Sequence, residues 1–147
     1  TLKDLQKFME CHKKDAKHYG MLSKYPESAQ YLNEHPYLAS EEAASFLCIW
    51  CIDLAVEEKY SLMERVAKQA VCLQFLLEIA RSQKAHPRDM INLFFQKVST
   101  MEGDYKQSFE SELEAFKSRV KNRANARIEE AQAEERKKRL GPGGLDP

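Results

Sequence analysis

Glycine and proline are scarce. Each occurs five times in 147 residues, and Gly141, Pro142, Gly143, Gly144 and Pro147 crowd into the last seven positions. A β-rich chain of this length needs a turn roughly every 8–12 residues, so the deficit excludes a sandwich or barrel and predicts an all-α fold. Long apolar runs are missing as well. The longest, 46–52, has seven residues, whereas a membrane span takes about 20. Charge of neither sign dominates: 23 Lys and Arg balance 23 Asp and Glu, which argues against a general polyanion binder and hence against nucleic acid as a partner. The opening Thr1-Leu2-Lys3-Asp4 has neither an initiator Met nor the look of a signal peptide, so the sequence reads as a piece or processed form of a longer chain. Four cysteines without a secretory opening point to free thiols in a reducing, cytoplasmic setting.

What is present is helical periodicity. Leu2, Leu5, Phe8, Met9 and His12 recur at steps of three and four, predicting a helix over 2–18 that ends near Gly20. Pro26 suits the first turn of a short helix over 26–34, stopped before Pro36. Ser40 is a candidate N-cap, with Glu41 and Glu42 where the helix dipole favours carboxylates. Two core helices follow, 41–57 and 60–83, divided by the polar Glu57-Glu58-Lys59. Ala85-His86-Pro87 breaks the pattern again before a helix over 87–98 with Met90, Ile91, Phe94, Phe95 and Val98 on one face. Tyr105, Phe109, Leu113, Phe116, Val120 and Ala124 then form the seam of one long helix, 104–140, which Gly141 and Pro142 must end. The expected architecture is a compact helical bundle over 20–103 followed by a long C-terminal helix, with 141–147 a Gly/Pro-rich linker to a missing C-terminal region. Beyond Ile128 the seam fades into blocked charge, a solvated strut.

Chemistry is harder to find. Cys48-x-x-Cys51 lies mid-helix in the run 46–52, not at an exposed helix N-terminus where a thiolate is stabilised. Zinc would need two further ligands, and only Cys72 and His35 offer themselves, unpaired. Buried inert thiols are the leading reading; a metal half-site and a redox pair are the alternatives. His12, His18, His35 and His86 are scattered, and no nucleophile–base order or phosphate loop appears. The sequence therefore predicts no enzyme, no cofactor and no metal. Lys117, Arg119, Lys121, Arg123 and Arg127 spread around their helix, as on a solvated face.

Two surfaces remain. Gly20-Met21-Leu22-Ser23-Lys24-Tyr25-Pro26 reads as a loop carrying three bulky apolar side chains and a cation. At the corner Tyr60-Ser61-Leu62-Met63-Glu64-Arg65, Leu62 and Met63 point in different directions, so one of the two is expected at the surface. Met21 or Leu22 stapling helix ends is the plain reading. Two apolar projections beside cations also describe a protein-docking patch.

Several stretches resemble a known family. They are Gly20-Met21-Leu22, Tyr31-Leu32, Glu41-Glu42, Ile49-Trp50-Cys51-Ile52-Asp53-Leu54, Val56-Glu57-Glu58-Lys59, Leu62-Met63-Glu64, Glu112-Leu113-Glu114-Ala115-Phe116-Lys117 and the run from Glu134 through Arg136-Lys137-Lys138-Arg139 to Leu145-Asp146-Pro147. From about residue 17 to 147 the chain resembles the cell division cycle 37 family, the co-chaperones that bring protein kinases to heat-shock protein 90. The terminal run matches the long-tailed members rather than their shorter-tailed relative. The resemblance implies a middle domain that docks on the chaperone's N-terminal ATPase domain beside its open nucleotide lid and slows ATP hydrolysis while a kinase client is loaded. By position the contact falls on Met21, Ser23, Lys24, Ser61, Leu62 and Arg65, with Met21 and Leu62 as apolar anchors. Lys24 stands where the family places an Arg directed at the chaperone's catalytic carboxylate, Tyr25 replaces a Trp, and Arg65 replaces a Gln. Residues 1–19 would be the end of an N-terminal coiled coil, whose kinase-recognition segment precedes this chain. The competing readings are a structural spacer or homodimer joined through the 104–140 seam, and a thiol- or metal-dependent enzyme built on Cys48 and Cys51.

Overall fold

The computed structural model describes residues 1–140; the expected linker 141–147 lies outside the described residues. The described residues form six α-helices: α1 (Leu2–Met21), α2 (Tyr25–Glu34), α3 (Glu41–Val56), α4 (Tyr60–Gln83), α5 (Ile91–Ser99) and α6 (Gly103–Leu140). Short 3₁₀ turns, Pro36–Leu38 and Pro87–Met90, lead into α3 and α5. Pro87 thus opens a 3₁₀ turn, and the α-helix expected from 87 starts at Ile91.

Caps follow from the local sequence. Ser40 Oγ accepts from the Ala43 amide at 3.3 Å, so the N-cap of α3 is the one its chemistry favours. The stops of α3 and α4 are Schellman turns. Lys59 N–H donates to the Leu54 carbonyl at 2.9 Å, and Ala85 N–H donates to that of Ala80 at 2.9 Å. The left-handed residues are Glu58 (φ 61°) and Lys84 (φ 53°). Glycine is the usual residue there, and a chain this poor in glycine accepts the strain of a side chain instead.

α3 lies at the centre, with α1, α4 and α6 packed on it. Its sides are buried by different neighbours: Ala43, Phe46, Leu47, Cys51, Leu54 and Ala55 are all buried. α2 packs on α5, away from this centre. α1 buries Ala16, Tyr19 and Gly20.

α6 has 38 residues, about 57 Å at 1.5 Å per residue. Phe109, Phe116, Val120 and Ala124 are buried in the common core, and Leu113 packs against it. α3 and α4 of the same chain pack on this seam. Ion pairs line its edges, Lys117–Glu64 at 3.2 Å and Arg127–Asp53 at 2.7 Å. From residue 129 to 139 every position is exposed. No helix among the described residues is long and apolar enough to cross a membrane.

Candidate functional site

The segment 20–26 is less of a loop than its composition implies. Gly20 and Met21 are the last residues of α1, and Tyr25 and Pro26 open α2, leaving Leu22, Ser23 and Lys24 as the connection. The physical reason is Gly20. It does not stop the helix but lets it pass close to its neighbours. A Cβ there would stand 3.0 Å from Trp50 Cζ3, 3.1 Å from Leu47 Cδ2 and 3.4 Å from Val66 Cγ1.

Those distances also place the end of α1 against α4. Val66 is one turn beyond Leu62, and Arg65 lies beside it. Met21 is 48% exposed, Ser23, Lys24, Ser61 and Arg65 are exposed, and Leu62 is half-buried against the core. Met63 is the member of its pair that turns inward and is buried. The structure therefore sets the two segments on adjoining helix ends. Neither Lys24 nor Arg65 takes part in an ion pair among the described residues, so both charges are available to a partner.

Three neighbours of this surface escaped the sequence reading. Lys68, one turn beyond Arg65, holds its ammonium 4.6 Å from the Tyr25 ring. Burial, reinforced by Cys72, pushes the Tyr25 phenol up to about 12, so the ring remains a neutral platform for that cation. Gln69, buried in α4, donates from Nε2 to the Leu22 carbonyl at 2.6 Å and to Ser28 Oγ at 2.8 Å. The only signal in the sequence was a glutamine among the apolar residues of 66–73.

The cysteines do not assemble into a reactive pair. Cys51 is buried, with its thiol directed at the Met63 carbonyl at 3.8 Å, and burial pushes its pKa well up. Cys48 is half-buried and also shifted up by burial, against the pull of Arg123 and Arg119. Burial thus disfavours the thiolate at both, which argues against the redox alternative. Cys72 is pushed by burial from its ordinary 9.0 to about 12. In a native thiol titration the exposed Cys11 is expected to react quickly and Cys51 and Cys72 only on unfolding; rapid reaction at both Cys48 and Cys51 would overturn this assignment. The same shifts predict alkaline destabilisation. A thiol with a raised folded pKa loses its proton first in the unfolded chain, so stability is intact below about pH 9 and falls as pH rises toward 12. Denaturant midpoints at pH 8 and 10.5 would measure the fall.

The histidines are less scattered than their numbering. His12 stacks on Tyr37 at 4.0 Å, His18 on Tyr31 at 4.6 Å and His35 on Tyr31 at 4.1 Å, while the Tyr37 hydroxyl donates to Asp15. These aromatics join α1 to α2 and the turn after it. Among the described residues no group of three or more His, Cys, Asp or Glu side chains is placed to hold a metal.

An all-α module with an apolar and cationic surface at a helix junction has the features expected of a protein-docking adaptor. Comparison with known proteins gives that class a family. The Cdc37 Hsp90 binding domain matches residues 19–134, and the chain belongs to that family. It is 54% identical over 144 residues to the Hsp90 co-chaperone Cdc37 of Gallus gallus, covering 95% of this chain and 37% of that protein. It is 52% identical to the Homo sapiens co-chaperone over 95% of this chain and 38% of that protein. The Drosophila melanogaster co-chaperone is 45% identical over 97% of this chain and 38% of its own length. The chain thus spans less than two-fifths of the length of these curated relatives.

Proposed function

We propose that this chain is the module through which a co-chaperone of the Cdc37 class docks on the N-terminal ATPase domain of heat-shock protein 90. The observation that carries the reading is the juxtaposition of exposed Met21, at the end of α1, with the first turns of α4, where Leu62 and Arg65 lie. Met21 and Leu62 supply the apolar centre beside the chaperone's nucleotide lid. Ser23 and Ser61 supply hydrogen-bonding groups around it. Lys24, Arg65 and Lys68 make the surface electropositive, which matches an acidic partner and steers encounter in a salt-dependent way. A side chain wedged beside the lid and the Lys24 ammonium directed at the catalytic carboxylate would together slow ATP hydrolysis during client loading. As a point charge, Lys24 orients that carboxylate less tightly than the forked guanidinium of an arginine. Recognition of protein kinase clients is placed in the larger part of the co-chaperone, outside these residues. The setting that fits is the cytoplasm.

The test is a calorimetric titration against full-length heat-shock protein 90. Leu62→Ala is expected to cost about 2 kcal/mol, roughly 30-fold in Kd, as for a buried apolar anchor. Met21→Ala is the companion variant, because an exposed side chain adds little to folding. Unchanged affinity in both, with the helical signal intact, removes this surface from the interface.

A further inference from the structure

Two of the residues proposed to touch the chaperone, Ser23 and Lys24, sit on the three-residue connection Leu22–Lys24 between α1 and α2. Short exposed connections sample several conformations unless something fixes them, and ordering such a segment on binding subtracts from affinity. Here both ends of the connection are tied to one buried side chain. Gln69 Nε2 donates one hydrogen to the Leu22 carbonyl (2.6 Å) and the other to Ser28 Oγ (2.8 Å). Ser28 Oγ in turn donates to the Lys24 carbonyl (2.8 Å), which also accepts from the Ser28 amide at 3.0 Å. The directions are forced. Both carbonyls can only accept, so the amide nitrogen must face Leu22 and the serine hydroxyl must point to Lys24. Ser28 and Gln69 are both buried, which shields the relay from competing water.

We propose that Gln69, acting through Ser28, is a positioning residue that locks the Leu22–Lys24 connection in its docking conformation. It touches no partner itself. Resting on the chaperone-docking reading above, the proposal adds how that surface is held ready before the partner arrives. The Lys68–Tyr25 contact braces the same junction from the next position of α4.

One detail separates this role from ordinary core packing. Gln69 Oε1 is buried and has no hydrogen-bond donor among the described residues. A buried unpaired acceptor is itself destabilising, so an apolar residue of similar shape there removes one penalty while it breaks the two tethers. Gln69→Met is therefore expected to leave the melting temperature nearly unchanged. Amide hydrogen exchange at Leu22 and Ser28, whose N–H groups donate to the Tyr19 and Lys24 carbonyls at the two ends of the connection, should rise, and affinity for full-length heat-shock protein 90 should fall about tenfold. Ser28→Ala, which cuts only the side-chain arm to Lys24, should raise exchange at position 28 with a smaller loss of affinity. The exchange measurement needs no partner. If the parent chain does not bind the chaperone, the docking reading fails; the lock is then judged by exchange alone, and unchanged exchange at Leu22 and Ser28 in Gln69→Met overturns it. Raised exchange with full affinity overturns the link to docking. If Gln69→Met fails to fold, Gln69 is a structural residue and the positioning role is rejected unless Ser28→Ala raises exchange at position 28.

Discussion

Phe109→Ala is expected to destabilise the fold by roughly 3–5 kcal/mol, the cost of emptying a well-packed aromatic site. Phe109 is buried in α6 and meets Phe75 of α4 edge to face, with ring centroids 5.2 Å apart. Phe75 also meets Tyr105 edge to face at 6.3 Å, so the three rings pin the first turns of α6. The ion pairs along the same helix cannot replace them. Arg127–Asp53 joins side chains that are 51% and 45% exposed, and exposed pairs contribute about 0–1 kcal/mol. Arg127→Ala should accordingly move the denaturant midpoint little. Against a domain stability of about 5–15 kcal/mol, the alanine at 109 leaves a marginal protein. Urea unfolding of both variants checks the comparison. Equal losses would mean that charge, not the apolar seam, holds α6 in place.

That seam was legible because α6 follows helical spacing for six successive apolar positions, and a single face meets the body. α3 was less legible. Phe46, Leu47, Cys51, Leu54 and Ala55 are all buried, because three helices surround α3, and periodicity cannot rank faces when nearly all of them are covered. The break at Glu57-Glu58-Lys59 was visible in the pattern. That Glu58 and Lys84 take left-handed conformations was not, since the usual glycine is absent at both. His12 and Tyr37 are 25 positions apart in sequence, and their stacking depends on α2 folding back along α1, which no local pattern encodes.

The site divides along the same line. Met21 and Leu62 drew notice as apolar residues beside cations, and the resemblance supplied their partner. Gln69 did not stand out, because its tether to Leu22 crosses 47 positions and exists only after α1 and α4 have packed. Local chemistry names candidate side chains, whereas the hydrogen bonds that fix their presentation are tertiary.

Gly20 joins fold and site most directly, and Gly20→Val is the second large effect expected. A glycine inside a helix costs about 0.5–1 kcal/mol relative to alanine, so its presence needs a reason, and the reason is space. The Cβ position faces Trp50 at 3.0 Å and Leu47 at 3.1 Å from α3, and Val66 at 3.4 Å from α4. These neighbours belong to two helices and cannot all retreat without opening the α1 contact. Overpacking of this kind costs about 1–3 kcal/mol. Gly20→Ala should lose a little stability, its helix gain partly offsetting the strain. Valine adds two methyl groups at the tightest point and should cost about 3 kcal/mol, the top of that range. It should also lift the end of α1, carrying Met21 away from α4. Affinity for heat-shock protein 90 should then fall more in Gly20→Val than in Gly20→Ala, even below the temperature at which either unfolds. A valine variant as stable as the parent would show that α1 does not approach α3 and α4 this closely. A destabilised variant with full affinity would show that docking does not depend on where α1 ends.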